Sequence, residues 1–196
     1  MAEIKSTLEM VMERAARMTA EAADAPQNDD AERRGMRIAA SLLNGETIDL
    51  MSYLKEQPSG EQMSVRSGMI RTFLRNIVLP REESISEGSL NSLAAIQTLS
   101  GSSAEISTIC NELQQILNQY GQHREQVKQQ LDEAIRNQLK QKLLEQGQTI
   151  DDKMSINPAM HPQYQEEVAR MSAELNEQYN EAIEQRRDAI KQRLGG

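Results

Sequence analysis

Between Ile106 and Leu143 an apolar position returns at every third or fourth residue. Ile106, Ile109, Leu113, Ile116, Tyr120, His123 and Val127 keep a 3-4 rhythm, with His123 standing where an apolar residue is expected; Leu131, Ile135, Leu139 and Leu143 continue at steps of four. That spacing paints one stripe on a helix and no coherent face on a strand. Residues 104–146 therefore predict a single helix about 60 Å long. Each step of four advances about 400° around the axis, so the stripe drifts around the rod. Gly121 weakens the helix by roughly 1 kcal/mol relative to Ala, which so long an element tolerates. A second stripe follows the loop GQTIDDKMSINPAMHP: Tyr164, Val168, Met171, Leu175, Tyr179, Ile183, Ile190 and Leu194. Pro162 suits the first position of that last helix. Joined by one loop, the two stripes most simply meet in a long antiparallel, coiled-coil-like hairpin over 103–196, its Gln-rich positions facing water.

Shorter helices precede it. Ile4, Leu8, Val11, Ala15, Met18 and Ala22 form a heptad seam in an amphipathic helix over 1–23. ADAPQNDD, with Pro26, reads as a linker. Residues 30–100 predict a small helical bundle. Its first helix starts near Asp30, carries Met36, Ala39, Leu42 and Leu43, and closes at Asn44-Gly45. Thr47 is placed to cap a short helix holding Ile48, Met51 and Leu54, which QPSG (57–60) ends. The most apolar segment, 61–79, carries Met63, Ile70, Phe73, Leu74, Ile77 and Val78, and Pro80 stops it. After SISEGS come Leu90, Leu93, Ile96 and Leu99, then SGSS (100–103) as hinge and cap in one. No internal repeat recurs at a fixed period, which argues against a solenoid.

The fold class expected is thus all-α. Composition agrees: with no Trp and one Phe, the core must be built of Leu, Ile, Met, Val and Ala, and 38% hydrophobic beside 27% charged residues suits helices that bury one stripe each. The net charge of −8 argues against nucleic-acid binding, which needs a basic footprint. One cysteine, Cys110, permits neither an internal disulfide nor a cysteine metal cluster. MAEIKSTLEM is not a secretory signal, and no apolar run approaches a membrane span, so the expected location is cytoplasmic.

AEIKSTLEMVMERA and RIAASLLNGETIDL resemble an uncharacterised family of bacterial cytoplasmic helical proteins. The likeness covers about the first fifty residues. That resemblance implies a helical C-terminal half but no activity, and no functional residue is carried over from it.

Candidate chemistry is thin. Within one helix Cys110 and His123 stand ~20 Å apart along the axis and about 140° apart in phase, beyond the reach of a thiol–imidazole pair. Cys110 is expected to flank the seam. His123 is expected to lie in it and to help fix register. His161, near Asp151, Asp152, Glu166 and Glu167, could join a carboxylate–histidine metal site, but no HExxH-type spacing exists, and capping the last helix is the simpler role. The acid pairs Glu82/Glu83 and Glu166/Glu167 suit helix N-termini better than acid–base catalysis. Phosphate-loop, dinucleotide and hydrolase-elbow motifs are absent, and the terminal RLGG is read as the plain end of a helix.

One segment stands out. Arg66, Arg71, Arg75 and Arg81 fall in a stretch without an acid, interleaved with Met69, Ile70, Phe73, Leu74, Ile77 and Val78. A basic amphipathic helix of this kind docks on an anionic membrane or an acidic partner, or else serves as the central helix of a bundle. The sequence as a whole implies a non-enzymatic interaction protein (an adaptor, scaffold or assembly factor) acting through amphipathic helix surfaces on protein partners. No cofactor, metal or catalytic residue is expected. The alternative is a peripheral membrane or anionic-surface binder working through 62–81. The residues that would carry an interaction surface are Arg66, Arg71, Arg75, Arg81, Leu8 and Val11. A homodimer through the first seam is possible, whether that helix packs in cis or in trans.

Overall fold

A computed structural model describes residues 29–81, 84–146 and 157–195. The first heptad helix with Leu8 and Val11, the linker at Pro26, the Glu82/Glu83 pair and the aspartates of the long loop lie outside the described residues. Among those described, all regular structure is helical. The elements are α1 (29–43), α2 (Leu50–Glu56), α3 (Gln62–Asn76), α4 (Glu87–Leu99), α5 (Ala104–Glu145), a 3-10 turn at Pro158–Met160, and α6 (Tyr164–Leu194).

Helix α1 lies on α3 along small residues. Ala31, Gly35 and Ala39, spaced one turn apart, are buried. A Cβ added at Gly35 would collide with the Val65 carbonyl, and one added at Gly68 of α3 with the Glu32 carbonyl. Each backbone thus rests on the other at its glycine, an approach that any side chain would forbid. Arg34–Glu61 and Arg71–Glu32 ion pairs flank the crossing. Gly45, at φ +96°, ends α1 as expected, its N–H donating to Leu42 O at 3.0 Å.

The cap of α2 is Asp49 rather than Thr47. Its carboxylate accepts from the amides of Met51 (3.0 Å) and Ser52 (3.1 Å), and the bonds to Ser52 hold its pKa below the usual carboxylate value. Helix α3 stops at Asn76, earlier than Pro80 alone requires, because its frayed end has its own partners. The buried Ser89 hydroxyl donates to Asn76 O (2.9 Å), and Arg187 of α6 donates to Ile77 O. Val78, Met63 and Leu90, expected on apolar faces, are exposed. The SGSS turn holds Gly101 and Ser102 at φ +63° and +61°. Ser103 stands at the N-cap of α5, with no hydrogen bond from its side chain.

Hydrogen bonds cross between α5 and α6 in a regular order: Glu105–Arg193 and Glu112–Arg186 at 3.1 Å, Tyr120–Asn176 at 2.6 Å, His123–Tyr179 at 3.5 Å, Asp132–Tyr164 at 2.6 Å. From Glu105 to Asp132 along α5 the partners run back from Arg193 to Tyr164 along α6, the His123–Tyr179 bond alone among these standing out of step. One continuous core runs through the whole base of this pair. Phe73, Ile77, Ile96, Leu113 and Leu117 share it with Ile183, Ile190 and Leu194 of α6. Leu117 and Cys110 are buried, while Ile109 and Ile116 are half-buried. The inward face at the base is thus wider than one stripe, because α4 covers α5 there as well as α6. His123 is corrected from a seam position to an exposed one, its ring 6.1 Å from that of Tyr179. Pro162 is not in α6, which begins at Tyr164; Pro158 instead opens the 3-10 turn.

Candidate functional site

The arginines of the basic stretch divide into two that the fold uses and two that it leaves out. Arg66 is half-buried and donates to Leu99 O at 2.8 Å, closing the end of α4. Arg71 meets Glu32 at 2.5 Å across the α1–α3 crossing. Arg75 and Arg81 are exposed and have no partner among the described residues. Apart from the exposed Met63, the apolar side of the same helix points inward: Val65, Met69, Ile70 and Phe73, with Ile77 at its end, are each 0% exposed. Sequence reasoning could see the charge of this stretch, but not which cations would be consumed by carbonyls and carboxylates of helices distant in the chain.

The other exposed feature lies further along α5 and α6. Arg124 donates to the carbonyls of Pro80 (3.2 Å) and Arg81 (2.7 Å), and its guanidinium lies 5.8 Å from the Tyr120 ring centre. Beyond that tie, each helix has chiefly the other to cover it. Val127, Leu131, Val168 and Met171 are only half-buried, and with Leu175 they line a groove of about 240 Å³ edged by Arg124, Glu125, Lys128 and Ser172. Toward the tip Leu139 and Leu143 are half-buried, and Leu144 and Met160 are exposed. The same stripe that is sealed at the base is therefore largely open here, with Ile135 and Leu175 still buried.

The family comparison covers both features: the profile of a family of unknown function (DUF6657) matches residues 51–192. The chain belongs to this family. The family match runs from within α2 into the last turn of α6, so it takes in the basic stretch and both long helices. The first fifty residues, on which a resemblance to an uncharacterised helical family was read, lie outside it. No curated protein and no solved structure matches the chain.

Classical reactive groups are placed without a chemical partner. Cys110 is buried in the core, and burial pushes its thiol up to about 11, so it stays protonated near neutrality. His161 is buried; its Nδ1 accepts from the Gln163 amide at 3.3 Å, and its carbonyl accepts from Tyr164 N at 3.0 Å. It thus shapes the entry to α6. Glu166 and Glu167 occupy the first turn of that helix, where acids complement its dipole. Among the described residues no group of three potential ligands could hold a metal, and no helix is long and apolar enough to cross a membrane.

Proposed function

We propose that this protein is a non-enzymatic interaction protein (an adaptor, scaffold or assembly factor) that takes an amphipathic helix of a protein partner against the distal halves of α5 and α6. The observation that carries the reading is the open groove at Val127, Leu131, Val168 and Met171, in a pair of helices whose base is fully buried. A helix with apolar residues at i, i+3, i+4 and i+7 would complete the missing side of that stripe, and Arg124 and Lys128 at its edge favour acidic flanks on the partner. A photo-crosslinking residue at Leu131 or Met171 should capture one partner in cells. The same residue at the exposed Gln129 or Glu177 should not. Equal capture at all four positions, or none at the groove, would reject the reading.

A second reading, an anionic-surface binder through 62–81, is favoured by the exposure of Arg75 and Arg81. It is opposed by Phe73 and Ile77, which would have to leave the core to enter a bilayer. Exposed arginines alone each contribute about 1 kcal/mol near an anionic surface, and screening at physiological salt shortens their reach to about 8 Å. Vesicles rich in anionic lipid should therefore leave the protein in the supernatant at that salt. Salt-sensitive recruitment abolished by Arg75→Glu with Arg81→Glu, the fold unchanged, would decide for this second reading.

A further inference from the structure

We infer that the cleft between α3 and α6 is a binding site for the diphosphate group of a small ligand. The cleft has a volume of about 320 Å³ and is lined by Arg71, Leu74 and Arg75 from one helix and Glu184, Arg187 and Lys191 from the other. Four cations line it beside one carboxylate, and with the pairing acids Glu32 and Asp188 included one positive charge is left over, in a chain whose net charge is −8. Gathering like charges in a cleft raises the energy of the protein alone and lowers that of any anion entering it.

Internal pairing offsets three of the four cations and leaves one. Arg71 meets Glu32, Lys191 meets Asp188 at 2.9 Å, and Arg187 meets Glu184. Arg75 has no partner among the described residues. The side chain of Arg187 is 16% exposed, and its Nε is buried without a hydrogen-bond partner while its other nitrogens serve Glu184 and Ile77 O. The Arg71 and Lys191 side chains, 45% and 41% exposed, keep donors open to the cleft.

The arrangement also selects among anions. Arg71 and Arg75 are one turn apart on α3, and Arg187 and Lys191 are one turn apart on α6. Positions so spaced lie about 5–6 Å from each other, so each wall offers two tiers of positive charge. A single phosphate would engage one tier, whereas two linked phosphoryl groups engage both. No aromatic ring lines the cleft and Leu74 is its one apolar residue, so no ring there would stack on a nucleobase. The recognised element is the diphosphate itself.

Calorimetry of the full chain with inorganic pyrophosphate tests this. Binding at low salt is expected, with inorganic phosphate about tenfold weaker or worse, since half the charge-assisted bonds are lost. Arg75→Gln and Lys191→Gln, both at exposed or half-exposed positions, should each weaken pyrophosphate about tenfold without moving thermal unfolding. Arg81→Gln, exposed but outside the cleft, should bind like the parent. Absence of pyrophosphate binding, or an equal loss in Arg81→Gln, would overturn the site. Vesicles carrying a lipid whose headgroup is a diphosphate separate the sources. Recruitment that pyrophosphate reverses and Arg75→Gln abolishes upholds the site with a lipid headgroup as its ligand. Recruitment indifferent to both, with no calorimetric binding, would overturn it.

Discussion

The base and the distal half of the α5–α6 pair are built from the same two helices, each carrying its apolar stripe from one region into the other, yet they are different materials. At the base Leu113, Leu117, Ile183 and Ile190 are sealed in a core that α3 and α4 complete. Past Arg124 most residues that continue the stripe are half-buried, with Ile135 and Leu175 the buried exceptions. The periodicity that makes a helix amphipathic decides which face seeks cover, but the number of neighbours decides how much cover it finds. Two helices in contact can bury a seam, and only a third or fourth closes its sides.

The sharpest way to break this contrast is to truncate one side chain in each region. Phe73→Ala should cost about 4 kcal/mol in denaturant unfolding, since a fully buried aromatic leaves a cavity among rigid helices. Val168→Ala, in the open groove, should cost about 1 kcal/mol or less. Comparable losses would mean that the distal half is as well packed as the base, and the groove would lose its meaning as a vacant surface.

A somewhat smaller effect is expected at the α1–α3 crossing. Gly68→Ala gains about 1 kcal/mol of helix propensity but drives a methyl into the Glu32 carbonyl, where overpacking costs about 3 kcal/mol, so the net loss is about 2 kcal/mol. Gly88→Ala meets open space and should be neutral or slightly stabilising. If both variants match the parent in thermal unfolding, the two backbones are not held as closely as described.

These glycines mark where sequence reasoning ends. The elements were legible from local chemistry: Asn44-Gly45 as a stop, the SGSS turn, and the long stripes of α5 and α6 all follow from propensity and period. Facing was legible only where one neighbour is present. Cys110 looked like a flanking position because a stripe was drawn for one partner helix, whereas α4 and α6 both pack on α5 and Cys110 is buried. Gly35 and Gly68 carry no pattern of their own; their use depends on a crossing point between distant segments. The same holds for the basic stretch. Its charge was visible, but the bond from Arg66 to Leu99 and the cations that Arg187 and Lys191 add opposite Arg75 are tertiary facts.

Cys110 offers a probe of the base alone. Its thiol is held near 11 by burial, against an ordinary value of 9.0. The folded pKa is raised, so the unfolded chain releases the proton first as pH climbs. The stabilisation is complete below about 9 and is lost between there and about 11, amounting to about 3 kcal/mol. Unfolding midpoints measured from pH 8 to 10.5 should fall more steeply for the parent than for Cys110→Ala. Thiol reagents should label the native protein only as fast as it unfolds. Rapid labelling would place Cys110 outside the sealed core.

The smallest effect is expected at the far end of the pair, where the Tyr164 hydroxyl donates to Asp132 at 2.6 Å. That bond, together with the nearby carboxylate charge, raises the pKa of the phenol, so it remains a donor throughout the neutral range. Tyr164→Phe removes the bond but leaves the ring, and the half-buried Asp132 can turn to water, so the cost is about 0.5–1 kcal/mol. Because this tie lies beyond the shared core, the loss should appear as local opening. Amide exchange near Asp132 and along the first turns of α6 should quicken about three- to fivefold, while amides of α3 and the base of α5 keep their rates. A uniform acceleration across the molecule would show that the distal half unfolds as one unit with the core. The two regions would then be a single cooperative body, and a helical partner would find no separately yielding surface on which to dock.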